Sequence, residues 1–155
     1  MPTEIERKFL LTTEGWRTGI TQSRRIAQGY LSRDPERTVR VRICGENAFM
    51  TIKGKTEGIS RTEIEFPILM ETAQNLLPLC FQPLIDKTRH LVPHDGHLWE
   101  IDEFHGPNTG LIVAEIELEA EDTAFARPDW LGDEVSQDFH YTNASLSERA
   151  FSTWE

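Results

Sequence analysis

Cysteine is scarce in this chain of 155 residues, with Cys44 and Cys80 the only two. Two cysteines exclude a disulfide-stapled scaffold, and in a reducing compartment they are expected to remain thiols. No apolar run approaches the roughly 18 residues that a membrane-spanning helix needs. The opening Met1-Pro2-Thr3-Glu4 lacks the basic and apolar regions of a secretory leader. The expectation is a soluble, cytoplasmic protein with no membrane partner. A basic surplus is also missing: 16 Lys+Arg stand against 26 Asp+Glu, a formal net charge of -10, which argues against a general nucleic-acid binder. Repeats, low-complexity tracts and linker-like Pro/Gly/Ser runs are absent, so residues 1–155 read as one domain able to bury its own core.

What is present is an uneven charge distribution and a period of two. Residues 1–65 hold 12 basic and 9 acidic side chains (+3), residues 66–155 hold 4 and 17 (-13), and the two sum to -10. Glu4-Ile5-Glu6-Arg7-Lys8-Phe9-Leu10 puts Glu4, Glu6 and Lys8 on one face of a strand and Ile5 and Phe9 on the other. Val39-Arg40-Val41-Arg42-Ile43 alternates likewise, and Gly45-Glu46-Asn47 turns it into Phe49-Met50-Thr51-Ile52-Lys53. Glu63-Ile64-Glu65-Phe66, Ile85-Asp86-Lys87-Thr88-Arg89, Leu98-Trp99-Glu100-Ile101-Asp102 and Glu115-Ile116-Glu117-Leu118-Glu119 repeat the pattern, with an Asp95-Gly96 hairpin turn between the second and third of these. Such strands, joined by brief turns, predict an antiparallel, mainly β fold with a few short helices. The helices are expected over 72–77, 121–127 and 144–153, the last with Asn143 as its N-cap.

One strand of this kind is ordinarily a half-exposed strand with its polar side in water. Repetition of like charge changes the reading. Glu115, Glu117 and Glu119 share a face at about 6 to 7 Å spacing, and Glu4/Glu6, Glu63/Glu65 and Glu100/Asp102 repeat the motif. At an effective dielectric near 20, each such pair costs about 2 kcal/mol. Carboxylate pairs converging on one enclosed face form an oxygen site suited to Mg²⁺ or Mn²⁺. Arg40/Arg42, Lys53 and Lys87/Arg89 supply the complement, fixed donors for phosphate oxygens. The combination points to a cavity that holds a polyanion beside a divalent metal, with charge inside, apolar residues outside and helices over the exterior.

Three decoys are set aside. Gly54-Lys55-Thr56 imitates the end of a P-loop, but position 49 is Phe where that motif needs Gly. His90, His94 and His97 straddle a hairpin turn and read as structural or solvated rather than as zinc ligands. Trp99, opposite Glu100, reads as exterior packing, and Cys44 as inert.

At this point the ordered motifs resemble a known family. Glu4-Ile5-Glu6-Arg7-Lys8 is similar to the ExExK signature of the CYTH domain, or triphosphate tunnel metalloenzyme, family. The resemblance continues through Gln28-Gly29-Tyr30-Leu31, Val39-Arg40-Val41-Arg42, Thr51-Ile52-Lys53, Arg61-Thr62-Glu63-Ile64-Glu65, Asp86-Lys87-Thr88-Arg89, Trp99-Glu100-Ile101-Asp102 and Ala114-Glu115-Ile116-Glu117-Leu118-Glu119. It ends in Gly132-Asp133-Glu134-Val135 and Tyr141-Thr142-Asn143. One departure is Asp138-Phe139-His140-Tyr141, where relatives often carry basic residues; it bears on how one tunnel end closes.

The resemblance implies an eight-stranded antiparallel β-barrel forming a closed tunnel with a charged interior, flanked by a few short helices including a C-terminal one. It further implies metal-dependent hydrolysis of a triphosphate, inorganic tripolyphosphate in the short prokaryotic members. Arg40, Arg42, Lys53, Lys87 and Arg89 would bind substrate oxygens. Lys8 would contact a phosphate and help the leaving group, and Tyr30 would approach the bound phosphate or serve as a buried structural tyrosine. Glu4, Glu6, Glu63, Glu65, Glu115 and Glu117 would ligate metal, with Glu100, Asp102 and Glu119 serving a second metal or orienting water. Adenylate cyclase, thiamine triphosphatase and RNA triphosphatase chemistry share the scaffold. A non-catalytic polyphosphate-binding module and a sandwich with a solvated charged face are the readings of a different class.

Overall fold

The computed structural model describes residues 3–154. Nine strands run in chain order as β1 (Thr3–Leu11), β2 (Gln22–Ser32), β3 (Arg37–Cys44), β4 (Asn47–Gly54), β5 (Ser60–Ile68), β6 (Ile85–His94), β7 (His97–Phe104), β8 (Ile112–Glu117) and β9 (Leu131–Glu134). Neighbours follow the order β5-β4-β3-β2-β6-β7-β8-β1-β9, and β5 also pairs with β1, which closes the first eight strands into an antiparallel barrel. One edge of β1 pairs with β8 from Glu6 to Phe9. The other is divided between β5 (Thr3 to Ile5) and β9 (Phe9 and Leu11).

The helices are α1 (Met70–Leu76) and α2 (Asn143–Glu148), and neither is long and apolar enough to cross a membrane. The expected helix over 72–77 is α1, displaced toward its N-terminus. The stretch 121–127 is not helical. Ala120 and Thr123 bond to each other in a tight turn, and Phe125 then packs edge-on against Phe9 and Trp99, at 6.0 and 5.7 Å between ring centroids. Burying that one aromatic ring outweighs the few hydrogen bonds of an isolated turn of helix. At the C-terminus the N-cap is Thr142 rather than Asn143. Thr142 Oγ1 accepts from Ser145 N at 3.1 Å, and the helix stops at Glu148, with a single 3₁₀ turn following at Phe151–Thr153.

The barrel is inverted as the alternation predicts, with two of its three apolar clusters on the outside. Phe9, Trp99, Ile101, Ile116 and Trp130 form one cluster under the 3₁₀ turn that carries Trp16. Trp99 is fully buried there, so it is exterior packing. Val41, Ala48 and Ala73 join α1 to the wall, whereas Phe104 and Val113, which pair across the ladder with Lys87 and Asp102 and so face inward, pack against Leu146 of α2 from inside the barrel. Along β4 and β5 that cover ends beyond Ala48 and Ile68, since Ile52 and Ile64, which face each other across the ladder, are 37% and 46% exposed.

Strand β2 shows no clean alternation because its inner face mixes Arg24, Ile26, Gln28 and Tyr30. Its Gly29 marks a close approach: a Cβ there would lie 2.7 Å from Cys80 Cβ and from Leu84 Cδ2. Cys80 Cβ cannot rotate away, so Gly29→Ala is expected to destabilise the protein by about 1–3 kcal/mol, read as a lower urea midpoint. The Asp95-Gly96 turn closes β6 onto β7 with φ of 47° and 81°, the positive values that an Asp-Gly hairpin turn supplies.

Strand β9 is held by a two-pronged ion pair. Arg7 Nε and Nη2 donate to Glu134 Oε2 and Oε1 at 2.9 and 2.7 Å. These bonds hold the Glu134 carboxyl below its ordinary value of 4.5. A lowered carboxyl stabilises the fold above its unfolded pKa and loses that contribution as pH falls through its folded one. Glu134→Gln is therefore expected to cost about 0.5–1 kcal/mol at pH 7. The gap in urea midpoint between variant and wild type should close as pH is lowered below about 4.

Candidate active site in the barrel interior

Alternation along eight closed strands sends every second side chain inward, and the inward set is the charged one. It lines a cavity of about 700 Å³. Glu4, Glu6 and Lys8 enter from β1, Arg40 and Arg42 from β3, Lys53 from β4, and Glu63 and Glu65 from β5. Lys87 and Arg89 enter from β6, Glu100 from β7, and Glu115 and Glu117 from β8. The segment from Val135 to Ala144 closes one end, with Ser136 Oγ accepting from Lys8 N (2.9 Å) and Tyr141 O from Lys8 Nζ (3.0 Å). Within that segment lies Asp138. Its carboxylate accepts from His140 N at 3.1 Å and so caps a 3₁₀ turn.

The interior charges are arranged in three ways. Some are paired: Lys53 Nζ sits 3.0 Å from Glu4 and 3.3 Å from Glu63, and Arg40 Nη2 is 3.4 Å from Glu65. Deeper, Asp102 is fully buried and accepts from Lys87 Nζ at 2.8 Å and from Arg89 Nε and Nη2 at 2.8 and 3.0 Å. Arg89 also reaches Glu100 at 3.1 Å and Glu115 at 3.6 Å. Burial works against the charge on Asp102, but Arg89 and Lys87 outweigh it and hold the carboxyl below its ordinary value. Lys8, 3.6 Å from Glu115, is kept charged in the same way against its own burial.

A second group is acidic and short of cations. Glu4, Glu6 and Glu117 each place a carboxylate oxygen within 4.8 Å of the others. Burial, then the charges of Glu115 and Glu4, pushes Glu6 well above the ordinary range. Burial and neighbouring acids raise Glu117 and Glu100, and burial with Glu4 raises Glu63 to about 7. Glu4 itself is held down, because Lys53 outweighs its burial. Such oxygens form a hard donor set that a divalent cation would complete.

The third group is basic and short of anions. Arg42 has no carboxylate partner among the described residues; its Nε donates to Gln28 Oε1 at 2.8 Å. Burial, then repulsion from Arg40 and Arg89, lowers it to about 10. Burial lowers Lys87 to about 7 against the pull of Asp102, with Arg89 and Arg42 adding to the effect. Arg40 is buried, and its Nε has no hydrogen-bond partner among the described residues.

Of the site residues singled out in the sequence, Glu119 and Asp102 do not line the cavity. Strand β8 ends at Glu117, and Glu119 is exposed beyond it. Asp102 is buried behind the lining, engaged by Lys87 and Arg89 and not available as a metal ligand or water-orienting group. Tyr30 is buried at the wall, its hydroxyl accepting from Gln28 Nε2 at 3.4 Å. Among the lining or wall residues that went unassigned in the sequence are Gln28, Thr51, Arg61 and Asn143. Arg61 could have been found, since it sits two residues before Glu63 and so on the same strand face. Thr51, which donates to Glu65 at 2.8 Å, and Asn143 carry no charge and leave no pattern. His90, His94 and His97 contribute to no metal-like cluster among the described residues; His90 bonds Ser23 and Glu103 instead.

The inner wall of this closed barrel thus brings into one cavity a crowded acidic cluster at Glu4, Glu6 and Glu117 and a base, Arg42, with no carboxylate partner among the described residues. The chain belongs to the CYTH family, whose domain model matches residues 2–151. It is 38% identical over 156 residues to an inorganic triphosphatase of Acetivibrio thermocellus, covering 100% of this chain and 99% of that one. It is 37% identical over 150 residues to an inorganic triphosphatase of Nitrosomonas europaea, covering 94% and 97%. A crystal structure of an inorganic triphosphatase superposes with a TM-score of 0.69 at 35% identity, covering 95% of each chain. A Pyrococcus horikoshii protein with a TM-score of 0.60 at 17% identity, covering 77% of this chain and 80% of that one, shares the fold alone.

Proposed function

We propose that this protein hydrolyses inorganic tripolyphosphate to pyrophosphate and orthophosphate with the help of Mg²⁺ or Mn²⁺. The observation that carries the reading is that one cavity holds both a crowded acidic cluster and a buried arginine without a carboxylate partner among the described residues. Arg42 and its basic neighbours want an anion with several oxygens, and Glu4, Glu6 and Glu117 want a divalent cation. Full-length identity to two inorganic triphosphatases selects the substrate class.

Arg40, Arg42, Lys53, Lys87 and Arg89 bind and orient the triphosphate oxygens, which cancels charge that would otherwise repel an incoming nucleophile. Lys8, pinned between Glu115 and Tyr141 O, contacts a phosphate oxygen and offsets the charge that develops on departing pyrophosphate. Asp102 acts through Lys87 and Arg89, fixing where their donors point. Glu4, Glu6 and Glu117 would hold the first ion, with Glu115, Glu63, Glu65 and Glu100 completing or extending the site. A divalent ion supplies Lewis acidity, screening phosphate charge and acidifying the attacking water. The overall step is attack of water on the terminal phosphorus and cleavage of its bond to the bridging oxygen, whose electron pair leaves with pyrophosphate.

The test is release of orthophosphate from tripolyphosphate, ATP and thiamine triphosphate side by side in Mg²⁺ and in Mn²⁺. Tripolyphosphate is expected to have the highest kcat/KM. A dominant yield of cyclic AMP and pyrophosphate from ATP, or faster turnover of an organic triphosphate, would overturn the assignment.

A further inference from the structure

We infer that Asn143 contacts the substrate, presenting its amide NH₂ to a phosphate oxygen, and that Gln28 is the positioning residue that turns the amide that way. The inference rests on the reading of the cavity as a triphosphate site. Amide orientation follows here from a chain of groups that can only donate. A guanidinium has no acceptor, and Arg42 Nε donates to Gln28 Oε1 at 2.8 Å. That bond fixes which end of the Gln28 amide is oxygen. Gln28 is fully buried, so water offers its amide no alternative. Its Nε2 then donates to Asn143 Oδ1 at 3.2 Å and to the Tyr30 hydroxyl at 3.4 Å. The Lys87 ammonium, a second obligate donor, gives another hydrogen bond to the same Oδ1 at 3.0 Å.

Turning the Asn143 amide over would set its NH₂ against two donors. With the oxygen so committed, Nδ2 makes no hydrogen bond to any described residue, and Asn143 lines the cavity. Two N–H donors therefore face a space whose cationic wall is short of anions. A phosphate oxygen satisfies them without adding a formal charge to an already crowded cluster. Thr142 supplies the N-cap of α2, which leaves the Asn143 side chain available for the cavity. Because Asn143 belongs to the segment that closes one end of the barrel, the contact forms only with that segment docked.

The experiment measures steady-state tripolyphosphate hydrolysis, in the metal that supports wild-type turnover, for Asn143→Ala and Asn143→Asp. Asn143→Ala removes the donor, and KM is expected to rise about tenfold with kcat changed less than about threefold. Asn143→Asp keeps the acceptor for Lys87 and Gln28 but removes the donor, and KM should rise at least as far. Thermal melts of both variants report the fold. If the aspartate variant fails to fold, the alanine variant decides through its KM. A KM within twofold of wild type for alanine, or recovery of wild-type KM by aspartate where alanine loses it, overturns the inference and leaves Asn143 a purely structural acceptor. Absence of tripolyphosphate turnover by wild type would instead overturn the triphosphate reading, and this inference with it.

Discussion

Replacing Glu4 with glutamine is expected to lower metal-dependent tripolyphosphate hydrolysis by about 100-fold or more, with little change in melting temperature. Glu4 is one of three carboxylates whose oxygens meet within 4.8 Å. Glutamine keeps the shape but removes one charge from a site built to attract a cation, and an interaction strengthened in the transition state is worth about 3 kcal/mol at such sites. The fold should tolerate the change, because Lys53 retains Glu63 at 3.3 Å when its bonds to Glu4 weaken. Activity within threefold of wild type, at saturating Mg²⁺, would show that the acidic triad is not the metal site.

The second large effect is on stability. Asp102→Ala is expected to cost about 3–5 kcal/mol, because it strands two buried cations that now share one carboxylate. Lys87 and Asp102 are both fully buried, and Arg89 donates twice to Asp102. Removing the acid leaves Arg89 with Glu100 and Glu115, but leaves Lys87 with only Asn143 as a close polar partner among the described residues. Denaturant unfolding measures the loss, and added tripolyphosphate should restore part of it by bringing negative charge back to the same cations. A loss below about 1 kcal/mol would show that water reaches this part of the wall and screens the cluster.

Much of this arrangement was legible in the residues themselves. Strands β1, β3, β7 and β8 carry clean alternation, and doubled like charges such as Glu4/Glu6 and Arg40/Arg42 showed that the polar faces must meet something of opposite sign. The Asp95-Gly96 turn fixed one hairpin outright. What escaped was of three kinds. Strand β2 hid because its inward face mixes Arg24, Ile26, Gln28 and Tyr30, which have no common polarity. Strand β9 is only four residues long and exists through its pairing with β1. The apparent helix at 121–127 gave way to packing of Phe125 on Trp99, a tertiary contact that local propensity cannot register.

The site divided along the same line. Most charged members announced themselves through strand periodicity, Arg61 being missed; Asp102 lies buried behind the lining, and Glu119 continues the Glu115/Glu117 face in sequence, but the strand ends before it. Neutral members, Gln28, Thr51 and Asn143, became visible only once the register placed them beside Arg42, Glu65 and Lys87. Their part is to orient charged groups, which depends on contacts across the barrel and not on neighbours in sequence.

The most direct test of the account is product stoichiometry from tripolyphosphate, measured for the purified protein with excess Mg²⁺, with excess Mn²⁺ and with EDTA. A cavity that clamps a triphosphate between bases and a metal held by Glu4, Glu6 and Glu117 should release one orthophosphate and one pyrophosphate per substrate consumed, and should stop in EDTA. Turnover unaffected by EDTA, or tight tripolyphosphate binding with no turnover in either metal, would contradict it.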